Sequence, residues 1–435
     1  MFRIFFVINF LIIGIITNSL AQNILTLEEA IRIGLENNYS IKIAQKDLQI
    51  IENDVTIGNA GFLPLIQAQA TRTFTIEDSD LLFLDGRVQD VQNAQANLLN
   101  GNVILEWTIF NGLGMFIALE RLNEFKRAGQ VNARIIVENT MAGIINTYYL
   151  IVLEKERLRV LDNSVQISNV RLNIAKDLYE VGRTSKSEYL AARVDLNADK
   201  SAYIQQQEIY NNAKIDLNLL LGRDLQVDYS VLDEITVDEN LDIETLLNNL
   251  VLSNANLQFA KRNMNIADLQ MREIRAQRMP QLRLVGGYRF NRSVAEAGFV
   301  LQNQSSGFNY GLVASFNIFN GFNQTREIQN ARISLETTEL QLRDLELQLN
   351  SEIRKVYQSY TNNINLLELE NANLALAREN AAIALDRFKL GRSTPLELRE
   401  AQRNEVDAES RTINASYSIK IAEIELLRLS GNLLK

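Results

Sequence analysis

The sequence predicts an α+β membrane protein: a long α-helical coiled-coil tube joined to a transmembrane β-barrel that is shared between subunits. Three observations predict it. The chain repeats itself at a nearly constant offset, the hydrophobic period changes from 3.6 to 2 after two of its three prolines, and each half holds about 65 residues of helical pattern with no proline or turn cluster.

Residues 1–21, MFRIFFVINFLIIGIITNSLA, combine Arg3, an unbroken apolar run and a small-residue end at Ser19-Leu20-Ala21, which reads as a secretory signal peptide. Its removal takes away one arginine and no acid, so the formal net charge of −9 becomes −10. An acidic balance argues against nucleic acid as a partner. With no cysteine and no histidine, the chain lacks disulfides, thiolate metal sites, a lipidated cysteine, and the commonest general base and metal ligand. No catalytic residue, metal site or cofactor is expected. No later stretch offers 18 consecutive apolar residues, so no transmembrane helix is expected.

The first repeat spans 22–225 and the second 241–435, joined by an acidic linker, 226–240. LTLEEAIRIGLENN from Leu25 parallels LDIETLLNNLVLSN from Leu241, an offset of 216 that also sets Pro64 opposite Pro280. IFNG at 109–112 and again at 318–321, DLYEVGRTS against DRFKLGRST, and LLG against LSG then keep an offset of 209, which assigns the seven-residue difference to a loop of variable length.

Each repeat reads helix, β-hairpin, long helix, helix. The first helix (about 27–60 in the first copy) is expected to end at Pro64 and at Pro280, because proline lacks a backbone donor and disfavours a helical residue before it. Hairpins follow at 65–110 and 281–319. Ile66, Ala68, Ala70 and Phe74 alternate with Gln67, Gln69, Thr71 and Thr73, while Leu282, Leu284, Tyr288 and Phe290 alternate with Gln281, Arg283, Arg289 and Asn291. Strands of about ten residues with one apolar and one polar face fit a membrane barrel, though alternation alone also fits a soluble sheet. Arg72 interrupts the apolar face. IFNG is expected to close the last strand with an aromatic and turn the chain through Asn111-Gly112 and Asn320-Gly321 into the long helix.

The long helices carry apolar residues at seven-residue spacing: Ile144, Ile151, Leu158, Val165, Leu172, Tyr179, and Ile353, Tyr360, Leu367, Leu374, Ala381, Phe388. That repeat predicts supercoiled packing. Four strands are too few to close a barrel and leave unpaired edges in lipid, so identical copies are expected to complete it.

LTLEEAI near the mature start, the Pro-strand junction, W-x-x-F-N-G before a long helix, and the V/L-G-R turn before E-x-L resemble the TolC-like outer-membrane efflux family over essentially the whole mature chain. The resemblance implies a homotrimer in the outer membrane of a Gram-negative bacterium, in contact with its lipid and extending into the periplasm. It implies a passive exit duct for efflux or type I secretion, docked to a periplasmic adaptor protein and an inner-membrane pump. It places adaptor docking at Val181-Gly182-Arg183 and Leu390-Gly391-Arg392, where glycine equally provides a left-handed helix stop. It places a periplasmic constriction at Glu188, Glu397 and Glu400. Ser185-x-x-Glu188 and Thr394-x-x-Glu397 also read as capping boxes, which leaves Glu400 without a local role. Arg183 and Arg392 are further candidates to pair with these carboxylates. The competing readings are a periplasmic adaptor, expected to show one helical hairpin between compact β domains, and a secreted coiled-coil structural protein, expected to lack alternating strands.

Overall fold

The computed structural model describes residues 24–232 and 234–433, so the signal peptide expected at 1–21 lies outside the described residues. In chain order the elements are β1 (Ile24–Leu25), α1 (Leu27–Asn37), α2 (Tyr39–Asp54), β2 (Leu65–Leu82), β3 (Val88–Asn111), α3 (Gly114–Glu180), α4 (Lys186–Leu221), β4 (Ser230–Val231), α5 (Ile243–Ser253), α6 (Ala255–Ala276), β5 (Gln281–Ala295), β6 (Gln302–Ser315), α7 (Asn323–Lys389) and α8 (Pro395–Leu429). The series helix, helix, strand, strand, long helix, helix occurs twice. Two compact units cut across it: one of 24–38, Thr140–Leu241 and Tyr357–Glu425, the other of Tyr39–Asn139, Asp242–Val356 and 426–433.

The second unit holds an antiparallel four-stranded sheet in the order β2-β3-β5-β6, so β2 and β6 are its edges. Register puts Ala68, Val103, Tyr288 and Phe308 in one row of one face, and Gln69, Asn102, Arg289 and Gly307 in one row of the other. The face carrying Ile66, Leu105 and Tyr310 is apolar; the face carrying Thr71, Asn100, Asn291 and Ser305 is polar. The strands exceed the ten residues that alternation suggested: β2 has 18 and β3 has 24. Past Ile76 the composition turns acidic (Glu77, Asp78, Asp80), yet pairing continues to Leu82–Val88, because ladder hydrogen bonds need no apolar face in water. The length difference between the repeats therefore lies in strands rather than in a loop.

Two further expectations are corrected. The first helix of each repeat is two helices, broken at Asn38 and at Asn254. Both asparagines are buried and take an extended ψ; Asn254 Oδ1 accepts from Leu257 N at 3.0 Å and so starts α6. Nor do the prolines end those helices. α2 stops at Asp54 and α6 at Ala276, and Pro64 and Pro280 instead stand immediately before β2 and β5.

The two breaks are copies of one device. Asn38 Nδ2 donates to Leu220 O at 2.7 Å, and Asn254 Nδ2 donates to Leu429 O at 2.8 Å. Each thereby satisfies a carbonyl in the last turn of a helix, a group with no partner inside its own helix. Gly222 and Gly431 close those helices with φ of 64° and 70°. A Cβ on Gly222 would lie 2.6 Å from Asn37 O, and one on Gly431 would lie 2.5 Å from Ser253 O.

α3 and α7 each have 67 residues, a length of about 100 Å. On α7 the seven-residue line holds at five of its six positions: Ile353, Tyr360, Leu374, Ala381 and Phe388 are buried, and Leu367 is half-buried. On α3 it holds through Ile144 and Ile151, then departs. Leu158, Val165 and Leu172 are half-buried, Tyr179 is exposed, and Val160, Ser168, Arg171 and Ala175 take the interior. At about 100° per residue these last four lie roughly opposite Ile151 on the helix, far more than the drift of about 20° per heptad, so past Ile151 α3 turns a different face inward. The most apolar window of α3 is long enough to cross a membrane, but half of it is buried within the protein.

The 226–240 linker is tied down. β4 pairs in parallel with β1, Tyr148 Oη donates to Leu25 O at 3.1 Å, and Tyr360 Oη donates to Asp238 O. On α8, burial first and then the Glu409 carboxylate raise the pKa of Glu405, with Arg378 acting against them.

Gly222→Ala and Gly431→Ala are each expected to cost about 1–3 kcal/mol, from the left-handed conformation and the backbone collision together; thermal unfolding of the single variants checks this. A carboxyl raised on folding lowers stability as pH climbs through its unfolded value, since the folded state then holds the proton more tightly. Glu405→Gln is accordingly expected to raise Tm at neutral pH and to leave it unchanged well below the ordinary carboxylate range.

Candidate functional site

The two hairpin tips, α3–α4 and α7–α8, both belong to the first unit. At each tip a glycine in the left-handed region ends the long helix: Gly182 at φ 77° and Gly391 at φ 68°. Arg183 N donates to Leu178 O at 2.8 Å and Gly182 N to Tyr179 O at 3.0 Å; Arg392 N to Arg387 O at 2.8 Å and Gly391 N to Phe388 O at 2.9 Å repeat the pattern. These are Schellman closures, and they present Val181, Gly182, Arg183 and Leu390, Gly391, Arg392 exposed at the turns. No Cβ obstruction surrounds either glycine, so φ alone selects the residue.

Each return helix starts with the hydroxyl half of a capping box. Glu188 N donates to Ser185 Oγ and Glu397 N donates to Thr394 Oγ1, both at 3.2 Å. The carboxylates fold back as well: Glu188 accepts from Thr184 Oγ1, and Glu397 accepts from Ser393 Oγ at 2.8 Å with Arg387 at 4.0 Å. Glu188 and Glu397 are therefore held by local hydroxyls at the helix starts. Glu400, one turn on, is exposed and has no hydrogen-bond or ion-pair partner among the described residues. It lines an open groove of about 590 Å³ with Ile383, Arg387, Glu397 and Asn404. Arg183 and Arg392 do not pair with these carboxylates. Arg387 takes that place at Glu397, and its Nη2 also donates to Arg392 O at 3.3 Å.

Behind the tips lies a charged group that the sequence did not disclose. Arg171 on α3, only 5% exposed, donates through Nη2 to Asp195 Oδ2 on α4 at 3.0 Å and through Nη1 to Gln402 Oε1 on α8 at 3.3 Å. Arg399 reaches the other oxygen of Asp195 at 2.6 Å. One carboxylate thus joins three helices of two hairpins. Arg171, Glu188, Asp195 and Phe388 also line a cleft of about 410 Å³. Farther along, Glu409 on α8 accepts from Arg159 at 3.0 Å and Arg378 at 2.6 Å. A charged residue on a helix normally reads as solvated surface, so no sequence signal marked these positions as interior.

At the opposite ends of the long helices, Gly112 and Gly321 take φ of 70° and 66°, and Asn111 Oδ1 accepts from Met115 N at 3.0 Å while Asn320 Oδ1 accepts from Gln324 N at 3.4 Å. Each Asn-Gly pair thus turns the chain and caps the helix that follows. In the first repeat β3 runs up to Asn111, as expected; in the second, β6 ends at Ser315 and IFNG lies beyond the strand. A Cβ on Gly112 would lie 2.4 Å from Ala276 O, a close approach that Gly321 lacks.

None of these groups makes a catalytic constellation, and among the described residues no cluster of acids fits a metal ion. The fold is shared with solved outer membrane channels. The CmeC channel of Campylobacter jejuni matches at a TM-score of 0.76 and 16% identity, over 94% of this chain and 86% of that one. VceC of Vibrio cholerae matches at 0.73 and 14%, over 93% and 96%, and the open-state MtrE channel of Neisseria gonorrhoeae at 0.70 and 15%, over 94% and 89%. No curated protein sequence matches the chain. The profile of outer membrane efflux proteins matches residues 30–223 and 246–432, the greater part of both repeats. That breadth sets aside the adaptor, coiled-coil and enzyme alternatives: the chain belongs to the outer membrane efflux protein family, whose members are passive channels of the Gram-negative outer membrane.

Proposed function

We propose that the chain is one protomer of a homotrimeric exit duct, the outer-membrane part of a tripartite efflux or type I secretion system. It docks a periplasmic adaptor through the tips at Val181–Arg183 and Leu390–Arg392, and the adaptor connects it to an inner-membrane pump. Residues 1–21 act as the export signal, and the chain divides functionally into the two repeats on either side of 226–240. One observation carries the oligomer: the sheet has four strands and two open edges, β2 and β6. Pairing β6 of one copy with β2 of the next closes the ladder, and three copies give twelve strands. The helices agree. Leu369, Leu376 and Ile383 form an exposed apolar line at seven-residue spacing on α7, the kind of seam a neighbouring helix covers.

Within this reading Glu400 is the carboxylate that faces the duct entrance and attracts cations, while Glu188 and Glu397 chiefly hold the tips in shape. Asp195 keeps the two hairpins of a protomer together.

Mass measurement of the detergent-solubilised protein, extracted from the outer membrane fraction, is expected to give three times the chain mass; a monomer overturns the proposal. In planar bilayers Glu400→Ala is expected to change conductance or divalent-cation block by about twofold or more, whereas Glu188→Ala leaves both near wild type and lowers stability by about 1 kcal/mol. Asp195→Ala leaves Arg171 buried without its counter-charge and is expected to cost about 3 kcal/mol or more, with faster hydrogen exchange at both tips.

A further inference from the structure

The apolar face of the sheet is broken by arginines at a single level. Register pairs Arg72 on β2 with Leu99 on β3, and Leu99 with Arg292 on β5, so two guanidinium-bearing residues flank one leucine in one row of that face. Across two strand spacings their Cα atoms lie about 10 Å apart. The other sheet arginines, Arg283 and Arg289, fall on the polar face.

The level is informative. Along β5 the apolar face runs Leu282, Leu284, Gly286, Tyr288, Phe290 and then Arg292. Ten residues at about 3.3 Å each, tilted by about 40°, climb about 25 Å, which is the height of the apolar band of an outer-membrane barrel. The row containing Leu282, Ala314 and Phe110 is at the end where the strands meet the helices, so Arg72 and Arg292 stand at the far edge of the band. Charge at that depth costs little, and it meets headgroups rather than hydrocarbon.

Neither arginine is neutralised by the protein. Arg72 Nε donates to the neutral Asn97 Oδ1 at 3.2 Å, and its guanidinium lies 4.6 Å over the ring of Phe74. These contacts orient the group and leave its two terminal nitrogens without an acceptor among the described residues. Arg292 is exposed and has no hydrogen-bond or ion-pair partner among the described residues. Two guanidiniums without acidic partners, on residues whose Cα atoms lie about 10 Å apart, suit phosphate, which each binds through two parallel N–H donors.

We propose that Arg72 and Arg292 form a binding site on the outer surface of the barrel for the phosphate groups of an outer-leaflet glycolipid. The site fixes the depth of the sheet in the membrane and places an annular lipid over Leu99. It rests on the orientation adopted above, with the helices on the periplasmic side.

The test uses the full-length oligomer in detergent and native mass spectrometry, with diphosphorylated lipid A as the probe. Wild-type protein and Arg72→Lys/Arg292→Lys are expected to retain the lipid, the lysine variant more weakly. Arg72→Gln/Arg292→Gln is expected to lose at least ten-fold in affinity, each single variant falling between. Arg289→Gln, on the same strand but the opposite face, is expected to bind as wild type. Retention of lipid by the double glutamine variant overturns the proposal, as does equal binding of dephosphorylated lipid A. Displacement by equimolar inorganic phosphate overturns it in favour of a free-anion site. Preference for phosphatidylglycerol over lipid A overturns the assignment to the outer leaflet, and it does so whether or not the protein is a trimer. Because the lysine variant keeps both charges, its loss of binding together with loss of the oligomer is read as misfolding, and the single glutamine variants then decide.

Discussion

A peptide N–H or C=O held in hydrocarbon without a partner costs several kcal/mol, and a membrane sheet ends in two rows of such groups. Here those rows are the free sides of β2 and β6. Pairing β2 with β6 of the same chain would keep both faces as they are, but four strands are too few to close around a lumen. Only another strand, in register, satisfies the edge. The same demand passes into the helices. Each strand pair leads through an Asn-Gly cap into a 67-residue helix, and a sheet completed by copies brings the helices of those copies alongside. The exposed line Leu369, Leu376 and Ile383 is what such a helix needs on its outer side, just as Ile353, Tyr360, Leu374 and Phe388 serve its inner side.

The two repeats agree where backbone touches backbone and differ where water is the neighbour. Asn38, Leu220 and Gly222 recur as Asn254, Leu429 and Gly431, with donor distances within 0.1 Å of each other and glycines equally close to a carbonyl. Such a contact admits no side chain at the glycine and no shift at the asparagine. The hairpins, by contrast, have strands of 18 and 24 residues in one copy and 15 and 14 in the other. Their outer ends stand beyond the apolar band, where a longer ladder exchanges water for backbone partners at little net gain or cost.

This division also explains what could be read from the residues alone. Periodicity marked the sheet faces, the two long helices and the α7 core line, because each is a repeated choice between lipid, water and protein. The Schellman closures at Gly182 and Gly391 and the capping boxes at Glu188 and Glu397 were legible because local chemistry fixes them within a turn. Breaks at Asn38 and Asn254 were not, since their cause is a carbonyl some 180 residues away in sequence, on Leu220 and Leu429. Strand ends past Ile76 were missed because polar residues in a ladder look like a loop. The Arg171–Asp195–Arg399 group was invisible for the opposite reason: its charges look like surface, and the change of buried face on α3 after Ile151 puts Arg171 inside.

The tips show the repeats diverging in charge while the backbone stays the same. At the 209-residue offset, Arg387, Glu397, Arg399 and Glu400 of the second tip stand where the first has Leu178, Glu188, Leu190 and Ala191. Of these four positions the first tip keeps only one carboxylate, Glu188, and it accepts from Thr184 within its own cap. In the second, Glu397 is balanced by Ser393 and Arg387, Arg399 is committed to Asp195 of the first hairpin, and Glu400 alone is left over. A carboxylate already filled by a hydroxyl and a guanidinium offers little field to a passing cation, whereas an unpaired one at the mouth of the proposed ring would offer its full charge, once for every copy. In the proposed duct the second hairpin would be the one able to act on what passes, held to the first through Arg399 and Asp195.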